Sequence, residues 1–203
     1  MSYSWVNYTL LLISVLLGSA NAAQSAQLDI QPSDKPLNNV DAAAVNTFPS
    51  LLESLTEVGR TEMQWWWLTL YRARLLSPNG DYQSTPSLNT YPLILEIKYY
   101  QAIPSERLVE ATLDQWQHLG LDDERQQNWH AKISSLWPDV AEGDTLSLKV
   151  NSEQNSQFYF NGTPLSQSMP AGFSHDFLAI WLSDKTSRPQ LREQLLGEIK
   201  CDC

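Results

Sequence analysis

GRTEMQWWWLTLYRARLL, residues Gly59 to Leu76, holds three consecutive tryptophans that run into a tyrosine and two arginines without helical spacing. Read as one extended strand, it places Trp65, Trp67, Thr69 and Tyr71 on one face and Trp66, Leu68 and Leu70 on the other. Apolar bulk on both faces predicts a strand buried twice, in the middle of a layered domain, with Arg72 and Arg74 carrying charge where it emerges. Three adjacent indoles cannot all point into one core, so at least one is expected to face a second layer or a cleft. Such a strand frames an apolar pocket with a cationic rim.

Downstream, Pro92 to Tyr100 alternates cleanly. Leu93, Leu95, Ile97 and Tyr99 share one face, and Ile94, Glu96, Lys98 and Tyr100 the other, the pattern of a half-buried antiparallel strand. The polar connection SPNGDYQSTPSLNT before it predicts that this strand neighbours the first through a long hairpin loop. A helix follows, with Ser105 as its N-cap, Leu108, Val109, Thr112, Leu113, Trp116 and Leu119 as its stripe, and Gly120 as its stop. Asp122 or Asp123 caps a second helix carrying Trp129, Ile133, Leu136 and Trp137, which Pro138 ends. The two helices are expected to pack as a hairpin on one sheet face.

After the turn Glu142-Gly143-Asp144, Leu146, Leu148 and Val150 alternate with Thr145, Ser147 and Lys149. Phe158-Tyr159-Phe160 then meets Asn161-Gly162, a strong hairpin signal. Phe173, Phe177, Ile180 and Trp181 form another helical stripe, and Ser187 with Pro189 opens a last helix containing Leu191, Leu195 and Leu196, stopped by Gly197. Strands, helices, strands and helices in that order predict an α+β domain with a mostly antiparallel sheet. Trp116, Trp129, Trp137 and Trp181, at helical spacing among aliphatic residues, are expected to be core.

An apolar content of 42% in 203 residues supports one ordinary core, and the expected domain runs from 48 to 200. Residues 1–22 have the pattern of a secretory signal: the apolar run Leu10 to Leu17 is too short to span a bilayer, and Ala20-Asn21-Ala22 suits signal peptidase. A short uncleaved anchor is the alternative, and no Cys follows the run as a lipoprotein anchor requires. A periplasmic or secreted location is the expectation. Residues 23–47 show neither alternation nor a helical stripe and are expected to form a linker or arm. The formal charge of −10 argues against nucleic acid or an anionic membrane surface as main partner. Cys201 and Cys203 form a Cys-Asp-Cys tail (201–203) that bridges across one residue or pairs with another chain, and no further cysteine exists to complete a zinc site.

VGRTEMQWWWLTLYRARLL, PLILEIKYYQAIPSERLVEATLDQW, LWPDVAEGDTLSL, FYFNG and FLAIWL, followed by PQLREQLLG, occur in the order and at the spacings of the chalcone isomerase-like family of exported bacterial proteins. The chain resembles that family from about Phe48 to Gly197. The resemblance implies an open-faced β-sandwich, a long sheet flanked by helices on one side and shielding a cleft at the other. In the plant isomerases an Arg, a Thr, a Tyr, a Lys and an Asn bind or polarise the substrate. By spacing, Arg60 stands within one residue of the arginine position, Tyr71 replaces the threonine, Pro104 the tyrosine, Arg107 the lysine and Ala111 the asparagine. Losing those hydroxyl groups removes the preorganised stabilisation of a reacting ketone, so the isomerase activity is not carried over.

The same fold occurs in plant fatty-acid-binding proteins, where an Arg and a Tyr hold the carboxylate and a cleft holds the tail. That implies a non-catalytic binder of a small hydrophobic or amphipathic carboxylate, with Arg60, Tyr71, Arg72, Tyr99 and Arg107 as ligand-binding candidates, Arg74 and Tyr100 beside them, and no cofactor or metal. Two alternatives stand against it: an intramolecular lyase or isomerase acting on a phenolic or conjugated ketone, and an interaction module whose cleft has collapsed. His118, His130 and His175 are scattered without zinc-ligand spacing, and His175-Asp176 is expected to be a surface pair rather than a catalytic dyad.

Overall fold

In the computed structural model, which describes residues 47–83 and 90–203, the triple tryptophan lies at the tip of a hairpin. Strand β1 (Thr56–Trp65) turns through Trp66 and Trp67 into β2 (Leu68–Ser77), with Trp65 opposite Leu68. This corrects the expectation of one strand buried on both faces. Trp65, Trp66 and Trp67 are 56%, 78% and 83% exposed, so no indole of the three faces a second layer. The turn escapes a sequence reading because its two central residues carry no Gly, Asn or Asp, the usual markers of a two-residue hairpin. Trp66 instead takes a left-handed φ of 58°.

The remaining elements follow the expected order. A short helix α1 (Thr47–Ser54) precedes β1. After β2 come β3 (Leu93–Tyr99), α2 (Ser105–Leu119), α3 (Asp123–Leu136), β4 (Thr145–Val150), β5 (Ser156–Phe160), β6 (Thr163–Met169), α4 (Phe173–Leu182) and α5 (Pro189–Leu195). The six strands form one antiparallel sheet in the order β1-β2-β3-β4-β5-β6. The domain is therefore α+β, as the alternation patterns predict. Asn161 and Gly162 both take positive φ, 49° and 79°, at the β5–β6 turn their sequence marks.

Alternation assigns the two sheet faces. Ala73 and Leu75 of β2, Leu93, Leu95 and Ile97 of β3 and Leu146 and Leu148 of β4 belong to one buried core. Trp116, Trp129, Phe173 and Phe177 meet that core from the helices. Phe158 sits in the middle, packed edge-on against Trp137, Phe173 and Phe177 at centroid distances of 5.3 to 5.8 Å, the geometry that ring quadrupoles favour. Helix α1 lies on the opposite face. Its Phe48 stacks on Tyr159 at 3.8 Å and covers Leu76 and Ile94 in a second, smaller apolar cluster.

Two caps differ in their source. Asp122 accepts the Arg125 backbone N–H at 2.9 Å, as its place before α3 predicts. Ser105 does not cap α2. It is the helix's first residue, and its N–H donates to Asp139 Oδ1 at 2.8 Å, so a carboxylate 34 residues away does the work assigned to its hydroxyl. His175 and Asp176 are not the expected surface pair: His175 is exposed, but the Asp176 side chain is 3% exposed. Asp176 accepts from the Trp129 indole at 2.8 Å and pairs with Arg125 at 2.6 Å.

The signal-sequence and linker expectations fall outside the described residues, save Thr47, which begins α1. Among the described residues no helix is long and apolar enough to cross a membrane. Cys201 and Cys203 are joined by a disulfide.

Candidate functional site

A cavity of about 340 Å³, within the size range of small-molecule sites, lies between the sheet and the helices that cover it, not on the sheet's other side as the resemblance implies. Met63, Leu70, Tyr71, Ile97 and Tyr99 form its sheet wall. Leu70 and Tyr71 are consecutive, yet both reach it. The β1–β2 register pairs Met63 with Tyr71 but Gln64 with Thr69, leaving Leu70 as an extra residue on β2. A bulge of this kind bends the strand and re-aims a side chain, so two neighbours line one cavity. The opposite wall is helical, with Leu108 and Ala111 from α2, Ile180 and Trp181 from α4 and Leu191 from α5.

Two phenols meet on the sheet wall. Tyr71 and Tyr99 are cross-strand partners whose rings contact edge-on at 6.2 Å. Burial pushes the Tyr99 phenol up, and the neighbouring Tyr71 adds to that. Burial also raises Tyr71, while a hydrogen bond from the Trp181 indole and the charge of Arg188 oppose the rise. Each phenol therefore stays protonated near neutral pH and retains an O–H to donate.

Three arginines line the cavity, and they differ in what already holds them. Arg107 Nη1 donates to Glu110 Oε2 at 2.7 Å on the exposed face of α2. Arg192 pairs with Asp184 at 2.6 Å and donates from Nε to the Leu182 carbonyl at 3.0 Å. Arg188, just before α5, has no carboxylate partner for its guanidinium among the described residues. Among the described residues the lining holds no Asp, Glu, His or Lys. The arrangement offers one uncommitted guanidinium and a neutral phenol at the edge of a largely apolar chamber.

The sequence candidates divide between the two sheet faces. Tyr71, Tyr99 and Arg107 line the cavity, together with Ala111 from the isomerase-aligned set. Arg60 and Arg72 lie on the other face of the sheet, because Thr61, Ala73 and their alternates point to the helices. Arg60 is held by both carboxylate oxygens of Glu57, at 2.6 and 2.8 Å. Arg72 bonds Glu62 at 3.0 Å with its guanidinium over the Tyr100 ring, and Arg74 pairs with Glu96 at 2.7 Å. Arg188 and Arg192 escape the sequence reading. A signal for Arg188 exists: a cation stands at the opening of α5, where the helix dipole favours an acid.

Comparison with known proteins agrees with this architecture. The family model described as chalcone isomerase-like matches residues 60–197. An uncharacterised protein of Haemophilus influenzae is 29% identical over 143 residues, which is 70% of this chain and 68% of that protein. Among solved structures, a fatty-acid binding protein of Arabidopsis thaliana matches with a TM-score of 0.53 and 10% identity, covering 72% of this chain and 88% of that one, a likeness of fold. With a family match across most of the chain and an antiparallel sheet carrying its helices over one main core, this protein belongs to the chalcone isomerase-like family.

Proposed function

We propose that this is an exported, non-catalytic binding protein for an amphipathic carboxylate such as a fatty acid. The observation that carries the reading is Arg188, a guanidinium without a carboxylate partner among the described residues, whose charge reaches the Tyr71 phenol beside an apolar cavity. A guanidinium and a phenol supply the charge-assisted donors that a carboxylate takes, and an alkyl chain needs only apolar walls. The fold of the Arabidopsis fatty-acid binding protein supports the same class of ligand. Export rests on the signal-like residues 1–22.

Chemistry on a ketone would require a residue that takes up or releases a proton at the reacting atoms. The two phenols at the cavity are held protonated by burial, and among the described residues no imidazole, carboxylate or amine joins them. Titration of the purified protein with cis-parinarate, a fluorescent fatty acid, tests the reading. Saturable uptake at one site, weakened in Arg188→Gln, is the expected result. A protein that takes up no fatty acid, and carries none when isolated from its host without detergent, would refute it.

A further inference from the structure

The hairpin tip of β1 and β2 has no role in the cavity. It is nonetheless the most conspicuous apolar surface among the described residues, with Trp65, Trp66, Trp67 and Leu68 all exposed. We propose that this tip docks the protein onto the surface of a zwitterionic phospholipid bilayer, beside the sheet wall of the cavity.

Four observations converge on that occupant. First, the turn is costly: Trp66 holds a φ of 58°, a conformation strained for any bulky side chain, in a turn that glycine or asparagine would make without strain. Strain of this kind persists where the side chain itself is needed. Second, the residue type fits. Tryptophan combines a large apolar ring with one N–H and concentrates at the boundary between hydrocarbon and water.

Third, charge selects the lipid. In a chain of formal charge −10, Met63 to Tyr71 carries no charged residue, and the ionic groups that flank this stretch, Glu62 and Arg72, neutralise one another at 3.0 Å. Nothing there attracts an anionic headgroup, and nothing in the tip resists a neutral one. Fourth, the tip continues into the cavity wall. Met63 is two residues from Trp65 and Leu70 two from Leu68, roughly 7 Å along each strand, and both line the cavity.

A protein partner fits less well. Three indoles of roughly 150–250 Å² each fall short of the ~800 Å² per partner that a stable protein interface buries. A narrow two-residue turn is a wedge, and a fluid interface needs no complementary shape. Docking itself does not rest on the carboxylate reading. Delivery of an acyl ligand from the bilayer into the cavity does.

The test uses the full protein with phosphatidylcholine vesicles. The wild type is expected to sediment with them and to lose indole fluorescence to lipids brominated along their chains. Trp66→Gly combined with Trp67→Ser, in which glycine accepts the positive φ, is expected to lower vesicle partition roughly tenfold, the factor that corresponds to ~1.4 kcal/mol. Circular dichroism and aqueous cis-parinarate uptake should be unchanged in that variant, which shows an intact fold and cavity. Equal binding by both proteins, no binding by the wild type, or self-association that the double variant abolishes without vesicle binding, would each overturn the proposal. Absence of cis-parinarate uptake alongside normal vesicle binding would defeat the carboxylate reading and leave docking standing.

Discussion

Asp176 accepts the Trp129 indole N–H at 2.8 Å, joining the first turn of α4 to the middle of α3 inside the core. Its carboxylate also takes the Arg125 guanidinium at 2.6 Å, while its backbone carbonyl accepts from the Trp116 indole at 3.0 Å. One residue thus ties three helices together. Asp176→Ala leaves the buried Trp129 indole N–H without its acceptor and takes the nearer carboxylate from Arg125, whose side chain is 44% exposed and still lies 4.0 Å from Asp122, and we expect a loss of about 1–3 kcal/mol. Urea unfolding of the variant checks this, and a loss under about 1 kcal/mol would show the network to be ornamental to stability.

Tyr99 governs behaviour at high pH. Its phenol titrates above the ordinary value of 10.0 because burial disfavours the phenolate, so the folded state holds a proton that the unfolded chain has released. Stability from this residue is therefore complete below about pH 10 and falls as pH rises from there through the folded value. Tyr99→Phe removes the titration. The stability of wild type relative to variant is expected to drop between pH 10 and 12, in denaturant melts taken at each pH. Parallel curves would contradict the assignment.

Gly59 sets where the last helix lies. A methyl group at Gly59 would come within 2.7 Å of both the Leu195 carbonyl and the Gly197 nitrogen, so β1 and the end of α5 meet backbone to backbone. Thr61, two residues on, donates its hydroxyl to Gln194 Oε1 at 2.6 Å and fixes the same contact. Gly59→Ala must displace backbone rather than a flexible side chain. A cost of about 2 kcal/mol is expected, seen as a drop of roughly 4–8 °C in Tm for a domain of this size.

Arginine substitutions separate the sheet's two faces. Arg188→Gln is expected to weaken cis-parinarate binding about fivefold, near 1 kcal/mol, the size of one charge-assisted contact close to solvent. Arg60→Gln and Arg72→Gln act on the face opposite the cavity and should leave binding unchanged. Equal effects from all three, measured by the same titration, would place the ligand elsewhere.

Strands β3 and β4 were legible because their residues alternate between a largely apolar and a more polar face, and β5 because its aromatic run meets the Asn161-Gly162 turn. Leu93, Leu95 and Ile97 are all buried in the main core, as their spacing demands. The β1–β2 hairpin was not legible, since two tryptophans stand where turn residues are expected, and the alternation that the turn inverts, with Trp65 opposite Leu68, is restored by the extra residue Leu70, so Met63 and Tyr71 share a face as they would in one unbroken strand. That single miss matters for the site. It conceals the bulge that brings Leu70 and Tyr71 to one wall, and it hides that Arg72 faces away. Arg188 depends on the long-range packing of α5 against β1 through Gly59 and Thr61, a relationship that no local pattern encodes.

Phe48 bears on what counts as an autonomous folding unit. The residues shared with the family begin at 60, yet the apolar pair Leu76 and Ile94 on the outer sheet face is capped by α1, through Phe48 stacked on Tyr159. A recombinant fragment trimmed to the family's common part would lose that cap and the first four residues of β1, presenting bare aliphatic side chains and an unpaired stretch of β2 to its neighbours. The boundary for producing a well-behaved protein thus falls ahead of Phe48, and its short helix is part of the fold.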